Sequence, residues 1–136
     1  NALERLKAVG ADVACADMWS RAWPSFRIVM VKGPTDENGK ERYVPVADEV
    51  ASRQGIEDVS FSGMGCTLIR TSIILKIRDA YPDQPWFWTA HHGEDATFCF
   101  KVLDIGGTVK CDFGLKSGHW GSCRMMGQDY TRGAVE

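Results

Sequence analysis

Over residues 94–105 the apolar side chains Phe98, Val102, Leu103 and Ile105 recur at helical spacing. Gly106-Gly107 ends the run, and a short β-forming stretch, residues 108–113, follows at once. A helix with one apolar face that turns straight into a strand must lay that face on a sheet, so this stretch points to an α/β fold. Other segments agree. Residues 2–9 read as a helix stopped by Gly10, and residues 11–16 as a short buried strand. Residues 26–31 and 43–46 are rich in β-formers and flank the turn-rich stretch 33–40, which predicts a β-hairpin with a polar tip. Residues 71–80 predict a second helix with Ile73, Ile74 and Ile77 turned inward. The prolines of Tyr81-Pro82-Asp83-Gln84-Pro85 must break it, because each removes a backbone donor and restricts the residue before it. Residues 48–58 read as a polar connection.

Length and charge narrow the possibilities. A chain of 136 residues can bury one core. A net charge of −2 offers no basic footprint, so nucleic acid is not an expected partner. No apolar run approaches the roughly 20 residues that span a bilayer, and no signal peptide opens the chain, so no transmembrane segment and a cytoplasmic location are expected. The helical spacing of Leu3, Leu6 and Val9 begins abruptly at Asn1, which suggests a piece of a longer protein. Five scattered cysteines, an odd number, do not suggest a disulfide framework.

The chemistry centres on Gly93-Glu94-Asp95, two adjacent carboxylates where the helix over residues 94–105 begins. Acids in a first turn are common, since they complement the helix dipole and can cap free N–H groups. They are also placed to take a proton from a bound hydroxyl. Upstream stands Gly63-Met64-Gly65-Cys66-Thr67-Leu68-Ile69-Arg70, a glycine-punctuated run into an apolar strand. Downstream, residues 108–113 carry Asp112, and His119 follows between Gly118 and Gly121.

This order resembles the C-terminal half of the catalytic domain of nucleotide-sugar glycosyltransferases with the GT-A fold. In that family a G-x-G-x-x-L-I-R strand, an aromatic loop, a G-E-D helix, a G-x-x-x-x-x-D strand and a G-H turn succeed one another. The resemblance covers roughly residues 11–121. It implies a GT-A-like mixed sheet with flanking helices and a hairpin insertion, forming an incomplete domain over residues 1–121 that is inactive by itself, with residues 122–136 a tail or connection. It implies metal-assisted, inverting transfer of a sugar from a nucleotide-sugar donor to a hydroxyl acceptor, carbohydrate or other. Asp95 would be the general base, and Glu94 would help hold the acceptor. His119 would ligate a divalent metal, manganese or magnesium, on the diphosphate. Gly63, Met64, Gly65 and Gly93 would lie against substrate, and Trp86 and Trp88 would stack on sugar faces as a lid.

The family's D-x-D signature occurs nowhere in the 136 residues. A non-catalytic carbohydrate-binding or scaffold module therefore stands beside the enzyme reading. Each motif also has a plainer explanation: the paired glycines can mark a β-bulge, the tryptophans can simply pack, and a lone histidine is often a surface residue. Zinc on Cys111, His119 and Cys123 is disfavoured, because no C-x-x-C knuckle brings two ligands together. His92-Gly93-Glu94 matches the H-x-E of zinc deaminases, but the P-C-x-x-C that completes that site is absent.

Overall fold

The computed structural model describes residues 1–20, 26–88 and 92–118, and the backbone alone of 119–120 and 125–126. In chain order the elements are α1 (Ala2–Val9), β1 (Val13–Met18), β2 (Met30–Lys32), β3 (Tyr43–Pro45), α2 (Asp48–Ser52), β4 (Ile56–Asp58), β5 (Thr67–Ile69), α3 (Thr71–Ala80), α4 (Glu94–Asp104), β6 (Val109–Ser117), β7 (His119–Trp120) and β8 (Met125–Met126). Four strands form a mixed sheet in the order β4-β6-β1-β5, in which β1 and β6 are parallel and the two outer pairs antiparallel. The expected α/β class with a mixed sheet and flanking helices is what the chain forms.

Strand β1 is buried along its whole length, as a central strand covered on both faces must be. Val13 and Cys15 join Ile73, Ile77, Phe98 and Val102 in the main core. Alternation turns Ala14 and Ala16 to the other face, where α1 packs over β1, β5 and β6. The side chain of Asn1 caps α1 by accepting from the Glu4 N–H at 3.0 Å, and Gly10 closes the helix at φ +74°. From the same helix, Nε and Nη2 of Arg5 each donate at 2.8 Å to the two carboxylate oxygens of the buried Asp112 in β6. This fork ties α1 to the sheet.

Helices α3 and α4 close the other face. Helix α3 spans the expected residues, with Ile73 and Ile77 fully buried and Ile74 partly so. Helix α4 buries Ala96, Phe98, Cys99 and Val102, and Gly106 at φ +76° stops it. Leu103, expected in the buried stripe, is instead 39% exposed. It shares a helix row with Ala96 and Cys99, and that row is covered only over its first two members.

The expected hairpin is the β2–β3 pair. Its tip is set by Asp36, whose Oδ1 accepts from the Asn38 and Lys40 N–H groups, each at 2.9 Å. The base of the hairpin is fastened to the sheet region, since Ile28 N–H donates to the Met18 carbonyl and Met30 N–H to that of Phe61. Residues 48–58, expected as a polar connection, form α2 and the edge strand β4. The edge is held by main-chain pairing to β6, with Ile56 exposed, so no apolar alternation announced it. Residues 122–136, expected as a tail or connection, lie outside the described residues apart from the backbone of β8. Among the described residues no helix is long and apolar enough to cross a membrane.

Candidate functional site

Asp95 in the first turn of α4 and Met64 in the loop entering β5 are 31 residues apart in sequence, and the fold presses them together. Strand β5 pairs antiparallel with β1, and the Ala16 N–H donates to the Cys66 carbonyl, so the loop before β5 lies at the carboxyl end of β1. Helix α4 packs its buried face on the core behind it. The result is a direct hydrogen bond from the Met64 N–H to Oδ2 of Asp95, at 3.2 Å. Gly93 occupies the N-cap position of α4, and no side chain caps the helix there. Asp95 therefore does more than complement a helix dipole: its carboxylate is oriented by the main chain of another segment.

A cavity of about 290 Å³ opens beside this contact, lined among the described residues by Ile28, Phe61, Ser62, Gly63, His92, Gly93, Asp95 and Ala96. Its walls are mostly apolar, with the Asp95 carboxylate and the His92 imidazole among them, the usual make-up of a small-molecule site. Ser62 is buried, and its hydroxyl lies beside the Cys15 thiol of the core. The His92 ring stands edge-on to Phe100, with centroids 5.2 Å apart. Phe100 continues into a cluster with Phe61 and Tyr43. Gly63 sits close beneath Ile28: a Cβ at that position would lie 2.5 Å from Ile28 Cδ1. Any larger residue would push Ile28, itself part of the cavity wall.

Of the residues anticipated from sequence, Asp95, Gly63 and Gly93 line this cavity, and Met64 contributes its N–H to the carboxylate. Glu94 is exposed and is not part of the lining, and neither is the exposed Gly65. Trp86 and Trp88 are also exposed and outside the lining. Phe87 between them stacks on Phe98 with centroids 4.6 Å apart and planes at 13°, which anchors the loop by its middle ring. His119 lies in β7, and its side chain is outside the described residues. Ile28, Phe61, Ser62 and His92 were not anticipated. Ser62 and His92 are each adjacent to a motif glycine, a signal that was available; Ile28 and Phe61 arrive through hairpin pairing, which left none.

Among the described residues no three His, Cys, Asp or Glu side chains converge to hold a metal ion. Of the cysteines considered for zinc, Cys111 is buried opposite Cys15 on the parallel neighbour, and Cys123 lies outside the described residues. No protein-family model matches the chain, and no curated protein matches it.

Proposed function

We propose that the chain is part of a GT-A-like glycosyltransferase that moves a sugar from a nucleotide-activated donor to an acceptor hydroxyl, with Asp95 as general base. The observation that carries this reading is the Met64 N–H hydrogen bond to Asp95 on the wall of one cavity. It joins two motifs, glycine-punctuated loop and acidic helix start, whose proximity the sequence order alone did not require. In the proposed step the acceptor oxygen bonds to the anomeric carbon as the carbon–oxygen bond to the diphosphate breaks. The hydroxyl proton passes to the Asp95 carboxylate, and the nucleoside diphosphate leaves with the bonding pair. The Met64 N–H holds the carboxylate in one orientation throughout, and the apolar walls from Ile28, Phe61 and Ala96 exclude water.

His119 is proposed as one ligand of a divalent cation, manganese or magnesium, which when bound would neutralise charge on the leaving diphosphate. The described residues supply no complete donor set for it, and the step above does not depend on it. Glu94, exposed at the first position of α4, is proposed to reach an acceptor from the cavity's outer edge.

Asp95→Asn tests the assignment. In the parent protein of which the chain is proposed to be part, release of nucleoside diphosphate from a panel of nucleotide sugars should fall by about 10² or more, with the melting temperature and donor affinity nearly unchanged. Equal rates for the two proteins would remove Asp95 from the chemistry. Carbohydrate binding by the unmodified protein with no release from any donor would favour the non-catalytic module.

A further inference from the structure

On the other side of the segment that supplies Ile28 to the Asp95 cavity, its neighbour Arg27 lines a second one. This cavity, about 380 Å³, is bounded by Trp19, Phe26, Arg27, Pro45, Val46, Ala47 and Asp48. Arg27 is 4% exposed and is held from within: its Nε donates to Oδ1 of Asp17 at 2.8 Å. Asp17 is wholly buried, and its Oδ2 accepts from Lys116 Nζ at 2.9 Å. That second contact exists because the β1–β6 register shifts after Ala16, which brings Lys116 opposite Asp17. On the outer side, Nη1 of Arg27 donates to the Val46 carbonyl at 2.9 Å and to Oδ1 of Asp48 at 2.7 Å.

Two features of this arrangement require explanation. Nη2 of Arg27 and Nε1 of Trp19 are both buried, and neither has an acceptor among the described residues, although the guanidinium lies 5.0 Å from the Trp19 ring centroid. Buried N–H groups left without acceptors cost stability, and a charged donor costs more than a neutral one. The two carboxylates on Arg27 are also unequal: Asp17 is sealed in the core, whereas the Asp48 side chain is 82% exposed. An inner counter-ion fixes the guanidinium, and an outer one merely rests on it.

We infer that Arg27 and Trp19 form a receptor for a small oxyanion, a carboxylate or phosphoryl group borne by an organic ligand, which displaces the exposed carboxylate of Asp48. The exchange carries no charge penalty for a singly charged anion. Arg27 and Lys116 are matched by Asp17 and Asp48, and such an anion in place of Asp48 keeps that match. The oxyanion takes the N–H that Asp48 releases and supplies oxygens to Nη2 and the indole N–H, which Asp48 does not engage. Planar guanidinium forks match such groups bidentately. Phe26, Pro45 and Val46 offer an apolar flank for the ligand's body. The site lies at the carboxyl end of the parallel pair β1–β6, the end where open α/β sheets bind ligands. The inference stands apart from glycosyl transfer and from Asp95.

The test is a nitrogen–proton correlation titration with sodium phosphate and with sodium acetate, and with sodium chloride as the ionic-strength control. The Trp19 indole resonance, assigned by its loss in Trp19→Phe, should shift saturably with an oxyanion and not with chloride. Saturation by phosphate alone identifies a phosphoryl ligand; saturation by acetate identifies a carboxylate. Followed through the backbone amides of residues 46–48, Asp48→Asn should bind the same anion several-fold more tightly. Trp19→Phe, which keeps the ring and deletes the donor, should bind roughly tenfold more weakly. Arg27 is left intact because it also holds Asp17. No saturable shift with either anion, or an Asp48→Asn protein that binds no more tightly, overturns the inference.

Discussion

At the scale of single residues, Gly63 and Tyr81 carry testable consequences. The Cβ of Gly63→Ala would meet the far end of Ile28, a side chain on the cavity wall. The substitution should therefore lower stability by about 1–3 kcal/mol, as overpacking does, and shrink the cavity. Adding Ile28→Val deletes the clashing Cδ1 and should recover most of the melting temperature; a double variant no more stable than the single would show that backbone, not packing, requires the glycine. The Tyr81 phenol is pushed up to about 12 from its ordinary value near 10, first by its hydrogen bond to Asp104 and then by burial. Because the folded state holds this proton more tightly than the unfolded state, the contribution to stability is fully present below pH 10 and is lost as pH rises towards 12. The Tyr43 phenol is also raised, first by burial and then by Glu41, so an absorbance titration should show more than one late tyrosine, and Tyr81→Phe should remove the latest phase.

Among the elements, the aromatic loop before α4 is the most informative. Its sequence offers three consecutive large rings, all of them close to half exposed, and the middle one stacks on the buried Phe98. Phe87→Ala removes the stack on Phe98 and should cost about 0.5–1.5 kcal/mol beyond the loss of buried area. A thermal melt measures the cost, and limited chymotrypsin digestion should cut the loop between α3 and α4 faster. Unchanged stability and cleavage would mean that the loop is held elsewhere. Helix α4 shows the complementary case: its glycine stop and most of its apolar stripe were readable, because helical spacing is local. Leu103 broke the pattern because coverage depends on what packs opposite.

For the molecule as a whole, the central sheet and its thiols report cooperative stability. Cys15, Cys99 and Cys111 are buried in the core, and burial pushes the Cys99 thiol up to about 12. Cys66 is only partly buried. With an alkylating reagent near neutral pH, Cys66 should label early, and the three core thiols only as fast as the protein opens globally. Labelling followed by peptide mass spectrometry across a urea series checks this. Core thiols that react as fast as Cys66 under native conditions would show that the sheet opens locally.

The local periodicities determined much of the architecture. Helical spacing marked α1, α3 and α4, and a strand was readable on each side of the hairpin turn, because each of these signals is contained within about ten neighbouring residues. The chemistry-bearing motifs, Gly63-Met64 and Gly93-Glu94-Asp95, were likewise visible as residues. Tertiary structure decided which of them meet. The Met64 N–H reaches Asp95 only because β5 pairs with β1 while α4 packs on the core, and Ile28 joins them only because the hairpin is fastened to Met18 and Phe61. The same holds for the ion cluster of Asp17, Arg27 and Lys116, whose members lie as much as 99 residues apart and meet through a register shift between parallel strands. Contacts at such separation leave no periodic trace in a single chain, since what selects them is the closing of the sheet and not the order of the residues.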